Sequence, residues 1–148
     1  MPPNEPPEQI VLEKLGDYLG VMSKAVFQTG MSWQVVEAKW AGTCEVFSDF
    51  DPLTLVSLSP DAVDTMAVDQ RIIRNRRKVE AIISNAQRML DLDAGHGGFQ
   101  AYLRAHEDFY ALVKDLRKNF KFLGDMGAYS FLYVVGEKVP DHDEFMKR

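Results

Sequence analysis

The sequence is poor in cysteine and in long apolar runs. It has 148 residues and a single cysteine, Cys44. One cysteine excludes an intrachain disulfide and a multi-cysteine zinc site, and a chain without disulfides fits a reducing cytosol. The strictly apolar runs are short, as at residues 131–135, whereas a transmembrane helix needs roughly 20 apolar residues. We therefore expect no membrane segment and no secretory signal, and we interpret residues 1–7 as a flexible Pro-rich lead-in.

An overall excess of positive charge is also missing. The formal net charge of −5 argues at first against a nucleic-acid partner. The charge is unevenly distributed, however, because residues 71–121 carry 11 Lys and Arg against 6 Asp and Glu, which is +5, and the remainder carries −10. Such a basic segment is typical of a surface that neutralises phosphates. The alternative, a solvated helical surface with local ion pairs, stays open on charge alone.

Apolar spacing predicts helices along the chain. Leucines, Met22 and Val26 recur every three or four residues between positions 12 and 26, and Ser32, Asp51 and Ser59 are suited to cap the helices that follow. Residues 128–135 fit a helix or a strand, and we favour a helix because no other segment offers a strand partner. Residues 94–98 are predicted to form a flexible connector, and residues 141–148 a last short helix. The fold class is thus all-α, with one domain (1–148) of seven to nine short helices.

Several segments match one known family. They span most of the chain from Gly30 onward, and the most specific is the string over residues 72–86. The matching residues are Gly30-Met31-Ser32-Trp33, Phe47, Phe50-Asp51-Pro52, Ile72-Ile73-Arg74, Arg76, Lys78, Ala81-Ile82-Ile83, Asn85-Ala86, Phe120-Lys121-Phe122-Leu123-Gly124, Tyr129-Ser130-Phe131 and Asp141-His142. The chain resembles the bacterial DNA-3-methyladenine glycosylase I family of the helix-hairpin-helix glycosylase superfamily.

The resemblance implies an all-α glycosylase with a helix-hairpin-helix-like element. Such an enzyme extrudes a damaged base from duplex DNA and cleaves its N-glycosidic bond without a cofactor in the chemical step. By position, Trp33 stacks on the base, Met31 fills the space that the base leaves, and Gln28 faces DNA. Two glycines, Gly124 and Gly127, correspond to the phosphate-binding hairpin turn. The remaining phosphate contacts are assigned to Arg74, Arg76, Lys78, Lys118 and Lys121.

The chain departs from the family pattern at three places. Ala25 stands where the family has its base-recognising glutamate, and the residues before Leu12 include no Cys, Tyr or His to match the family's N-terminal stretch. The family's second zinc pair becomes His142 and Met146, so we predict no metal. Asp141 is a candidate catalytic carboxylate that could stabilise the oxocarbenium-like sugar or activate water, as in the wider superfamily. Its alternative role is a helix cap after a proline.

These observations lead to one leading hypothesis and two rivals. The leading one is a base-excision-repair glycosylase that removes 3-methyladenine or a similar alkylated purine from double-stranded DNA. We expect a cytoplasmic protein, associated with the bacterial nucleoid when bound, with no cofactor and no protein partner. The first rival is a non-catalytic DNA-binding module of the same fold. The second is an all-α interaction protein whose acidic residues form its working surface.

Overall fold

The structure is a computed structural model that describes residues 9, 10 and 12–147. Within those residues it contains nine α-helices, one 3-10 turn and no strand, which confirms the all-α prediction. The lead-in at residues 1–7 lies outside the described residues. No described helix has both the length and the apolar character needed to cross a membrane. The elements are α1 (Leu15–Gln28), α2 (Trp33–Val46), the 3-10 turn (Ser48–Phe50), α3 (Pro52–Val56), α4 (Pro60–Ala67), α5 (Arg76–His96), α6 (Phe99–Leu103), α7 (Phe109–Asn119), α8 (Asp125–Val134) and α9 (His142–Lys147).

Three predicted helix starts are confirmed by their caps. The side chains of Ser32, Asp51 and Ser59 each accept the backbone N–H three residues further on, at 3.1–3.3 Å. Proline follows two of them, at Pro52 and Pro60, where its missing N–H costs nothing. The local sequence therefore fixes where α2, α3 and α4 begin.

One predicted connector is shorter than expected. Helix α5 continues to His96, so only Gly97 and Gly98 remain of the connector predicted over residues 94–98. Gly97 has φ +72, and the N–H of Gly98 bonds the carbonyl of Asp93 at 2.8 Å. The helix continues through Gly95, because a single glycine inside a helix costs only about 1 kcal/mol. It ends at Gly97, which adopts the left-handed conformation.

The ambiguous segment near the C-terminus is helical. It forms most of α8, which packs against α1, and the predicted final helix is α9. Gly16 lets α1 approach the 3-10 turn closely, because an added Cβ would lie 3.1 Å from the carbonyl oxygens of Asp49 and Phe50. Leu19 and Phe131 are completely buried in the core that α1 and α8 share with their neighbours. This packing leaves one side of α1 facing an open cavity.

Candidate active site

An open cavity of about 1280 Å³ is lined by α1, α2, the 3-10 turn and α8. Its wall carries the aromatic side chains of Trp33, Trp40 and Phe50. The rings of Trp40 and Phe50 stack with centroids 5.4 Å apart. Small-molecule sites measure about 300–1,000 Å³, so this cavity has room for a planar base and part of its sugar. The polar side chains on the wall include those of Asp17, Lys24, Gln28, Ser32, Gln34, Glu37, Cys44, Asp49 and Ser130.

Trp33 is held at the cavity by the start of α2. It follows the cap residue Ser32 directly, so the first turn of the helix fixes its backbone. The indole is partly exposed, yet its Nε1 is buried and finds no hydrogen-bond acceptor among the described residues. Trp33 thus presents a partly exposed indole to the cavity.

The turn between α1 and α2 brings the other predicted base-binding residues to the same wall. Gln28 and Met31 both line the cavity, and Met31 is 39% exposed. Gly30 adopts φ +75, which glycine tolerates, and the N–H of Met31 bonds the carbonyl of Gln28 at 3.0 Å. Ala25 also lines the cavity and adds no polar group there.

Lys78 holds this turn from behind instead of lying on the surface. The residue is only 4% exposed, and its Nζ donates to the carbonyls of Phe27 at 3.0 Å and Thr29 at 2.5 Å. Desolvation by burial lowers the pKa of the Lys78 ammonium. Its position therefore corrects the predicted phosphate contact: Lys78 anchors the C-terminal end of α1.

Charged side chains also line the cavity. Lys24 of α1 forms an ion pair with Glu37 of α2, and its Nζ lies 5.3 Å from the centroid of the Trp40 ring. The carboxylate of Asp17 accepts two backbone N–H groups that precede α1, at 2.7 and 3.0 Å, so it is engaged as a cap. Asp49 lies in the left-handed 3-10 turn with φ 53. Among these acidic residues, Glu37 is the nearest in sequence to Trp33, which it follows by four residues on the same helix.

The single cysteine is not set up as a nucleophile. Cys44 lies partly buried on the cavity wall. Burial raises the pKa of its thiol, the Asp49 carboxylate raises it further, and Lys24 only partly opposes them. The thiolate, which is the reactive form, is therefore disfavoured.

Asp141 lies outside the cavity wall as the structure describes it. Its side chain accepts the N–H of Asp143 at 2.9 Å, and its carbonyl accepts the N–H of Phe145 at 2.9 Å. These bonds begin α9, so Asp141 serves as the helix cap that was its alternative role. The structure thus describes Asp141 as a cap, and its catalytic role stays a prediction.

A second, basic groove of about 530 Å³ adjoins the turn after α1. It lies between the end of α7 and the start of α8, and its wall includes Lys118 and Gly124. Gly124 is the cap residue of α8 and has no side chain with which to cap the first turn. Lys121 and Arg74 are exposed. The remaining groove residues are Thr29, Lys114, Arg117, Phe120, Phe122 and Leu123.

Two predicted phosphate contacts have other roles in this structure. Arg76 is paired with both Asp64 and Glu80, so its charge is already compensated. Gly127 lies inside α8 instead of in the turn, and an added Cβ would lie 3.2 Å from the side chain of Leu123. Gly127 therefore permits close packing at the start of α8, and Gly124 alone belongs to the turn.

The described residues do not fit the zinc site that the family resemblance implies. Over residues 9, 10 and 12–147, no three His, Cys, Asp or Glu side chains lie close enough together to hold a metal ion. His142 packs its ring against Tyr129 instead, with centroids 5.6 Å apart. One imidazole cannot hold structural zinc.

Solved structures identify the class of protein first. The fold matches a structure of 3-methyladenine DNA glycosylase I from Staphylococcus aureus with a TM-score of 0.74 and 25% identity, over 87% of this chain and 80% of that one. It matches equally well, at TM-score 0.74 and 25% identity, a tyrosine-to-phenylalanine variant of a 3-methyladenine DNA glycosylase I in complex with 3-methyladenine, over 87% of this chain and 81% of that one. The all-helical arrangement is thus that of a DNA glycosylase fold.

Sequence comparison then identifies the family. The family model described as methyladenine glycosylase matches residues 20–118, so the chain belongs to the methyladenine glycosylase family. DNA-3-methyladenine glycosylase 1 of Escherichia coli (strain K12) is 29% identical, over 78% of this chain and 72% of its own. The DNA-3-methyladenine glycosylase of Haemophilus influenzae is 25% identical, over 78% of this chain and 73% of its own. The predicted family is confirmed.

Proposed function

We propose that this protein is a base-excision-repair DNA glycosylase that releases 3-methyladenine, or a similar alkylated purine, from duplex DNA. The observation that carries the proposal is the shared cavity wall of Trp33, Gln28 and Met31, in a chain whose relatives are named as 3-methyladenine glycosylases. A base inside the duplex cannot present its glycosidic bond to a protein cavity, so it has to be extruded first. The exposed Met31 at the cavity is suited to fill the gap in the stack.

The aromatic wall suits the charge of the substrate. Methylation of a purine ring nitrogen that carries no hydrogen makes the base cationic, and a cation over the face of a tryptophan is stabilised. Cleavage breaks the bond between the sugar C1′ and the base nitrogen, and the electron pair leaves with the base. Water supplies the hydroxyl at C1′ and gives up its other proton to solvent. Because the cationic base leaves as a neutral molecule, it needs no proton from a general acid. Binding and orientation by Trp33 therefore contribute much of the catalysis.

The basic groove gives the cavity its access to DNA. The hydroxyl of Thr29 contacts the carbonyl of Phe122 at 3.5 Å, so the turn that leads to Trp33 touches the α7–α8 connection. A phosphate bound by Lys118 beside the start of α8 would hold a neighbouring nucleotide next to the cavity. We also assign Arg74 and Lys121, which are exposed, to this DNA-binding surface. We retain the expected cytoplasmic location, with nucleoid association when DNA is bound.

Base release from methylated duplex DNA tests the proposal directly. Purified protein should release 3-methyladenine from DNA carrying that lesion, and the free base should be detectable by chromatography. An unmethylated duplex of the same sequence is the control and should yield no free base. If the protein at high concentration binds the methylated duplex and releases nothing, the non-catalytic DNA-binding module takes the place of the enzyme.

The salt dependence of DNA binding tests the basic groove. Replacing Lys118 by alanine should flatten the slope of log affinity against log salt by about one unit, because one phosphate contact is lost. Lys138→Ala is the matched control, since it removes the same charge beyond the opposite end of α8. Fluorescence anisotropy with a labelled duplex at several salt concentrations gives both slopes. Equal slopes for the two variants would remove Lys118 from the DNA footprint.

A further inference from the structure

The cavity wall contains an ion pair that the proposed chemistry has not used. Lys24 of α1 and Glu37 of α2 both line the cavity, and their side chains are 29% and 39% exposed. Glu37 follows Trp33 by four residues on α2, so the two side chains lie on the same face of the helix, one turn apart. A base stacked on Trp33 therefore lies within reach of this pair.

The pair presents two complementary hydrogen-bonding groups side by side. The Lys24 ammonium has only donors, and the Glu37 carboxylate has only acceptors. Adenine carries the matching pattern on one edge, because its N7 accepts a hydrogen bond and its N6 amino group donates one. On the same edge guanine offers two acceptors, and one of them would face the carboxylate.

We infer that the Lys24–Glu37 pair recognises the amino edge of the extruded base, with Glu37 accepting from the amino group and Lys24 donating to the neighbouring ring nitrogen. This inference rests on the proposed glycosylase function and makes Glu37 a specificity-determining residue for it. Lys24 also fixes the carboxylate beside Trp33, because its Nζ is held between Glu37 and the ring of Trp40.

A simple structural role for the pair makes different predictions. If the pair only joined α1 to α2, it would be a partly exposed salt bridge of small effect on stability. Restoring the bridge with the charges exchanged would then restore everything. If the pair recognises the base, exchanged charges bring an ammonium to the place where an amino group must be accepted. The exchange therefore separates the two roles.

The test compares three variants, with Trp fluorescence quenching by free 3-methyladenine and single-turnover base release as readouts. Glu37→Gln should weaken binding and slow release up to roughly 10-fold, because the acceptor of the hydrogen bond loses its negative charge and its ion pair with Lys24. The double variant Lys24→Glu with Glu37→Lys should regain the thermal stability of the wild type and remain at least as defective. Glu45→Gln is the matched control, because Glu45 is also on α2 and paired with a basic residue, Arg71, outside the cavity.

A base analogue without the amino group makes the test specific. The wild type should bind the analogue about 10-fold more weakly than 3-methyladenine, and the difference should be smaller for Glu37→Gln, whose neutral amide oxygen is a weaker acceptor. The inference is overturned if Glu37→Gln matches Glu45→Gln, if the exchanged pair recovers wild-type release, or if the wild type does not bind free 3-methyladenine. A wild type that binds the base with this dependence on Glu37 but releases none from DNA would contradict the proposed function alone.

Discussion

Replacing Trp33 by alanine should slow the release of 3-methyladenine about 10- to 100-fold, because the stacking surface for the base is lost. Stacking of a base on an aromatic side chain contributes roughly 1–3 kcal/mol, and the cationic charge of the lesion adds to the interaction with an indole. The indole lines the cavity and its Nε1 has no acceptor among the described residues, so its removal breaks no hydrogen bond with them. Single-turnover release measured with enzyme in excess isolates this effect from product release.

Two further variants establish that stacking causes the loss. Trp33→Phe keeps an aromatic face and should recover part of the rate. Trp40→Phe is a control for fluorescence, because the chain has only two tryptophans and this variant assigns the quenching signal to Trp33. Thermal unfolding of Trp33→Ala should lie close to that of the wild type. If Trp33→Ala binds free 3-methyladenine as tightly as the wild type, the stacking role is wrong.

Local signals in the sequence predict the helix starts well. Ser32, Asp51 and Ser59 cap helices because their short side chains reach the N–H three residues on, an interaction that needs no tertiary structure. The end of α5 was predicted less well, since glycine at position 95 weakens a helix without ending it. Only the left-handed conformation of Gly97 ends it, and the sequence does not distinguish one glycine from the other.

The site was harder to predict because burial and pairing are properties of the tertiary structure. Trp33, Gln28 and Met31 were found through the family motif, and they do share a cavity wall. Lys78 and Arg76 look alike in a basic cluster, yet one is buried on backbone carbonyls and the other is paired with acids.

The ion pair of Lys24 and Glu37 was missed for a related reason. The two residues are on different helices, and they meet only because the turn at Gly30 folds α2 back along α1. The neighbouring Ala25 on α1 predicts a cavity wall without the family's base-recognising glutamate, whereas Glu37 reaches that wall from α2. The signal that could have found Glu37 was its spacing of four residues from Trp33, which places both on one face of α2.

Lys78→Met should lower the free energy of unfolding by about 2–4 kcal/mol, because one buried and one partly buried carbonyl lose their donor. The substitution keeps a side chain of similar length and removes the ammonium that bonds the carbonyls of Phe27 and Thr29. A buried acceptor left without a donor costs about 1–3 kcal/mol, and relief of the buried charge offsets part of the loss for the two carbonyls. Urea denaturation followed by circular dichroism gives the change in midpoint at constant slope.

The loss should extend to base release and depend on pH in a defined direction. The turn that Lys78 holds leads directly to Met31 and Trp33, so release should fall beyond what stability explains at temperatures where both proteins are folded.

Burial lowers the pKa of Lys78 below 10.5. Between the folded pKa and that value, the unfolded chain therefore binds more protons than the folded protein. As the pH increases from the folded pKa to 10.5, the free energy of unfolding of the wild type should therefore rise relative to that of Lys78→Met. At pH values below the folded pKa the difference between the two proteins should not change with pH. The control is Arg76→Met, which removes an exposed ion pair two residues away and should change stability by less than about 1 kcal/mol. If the two variants unfold at the same urea concentration, Lys78 does not anchor the turn.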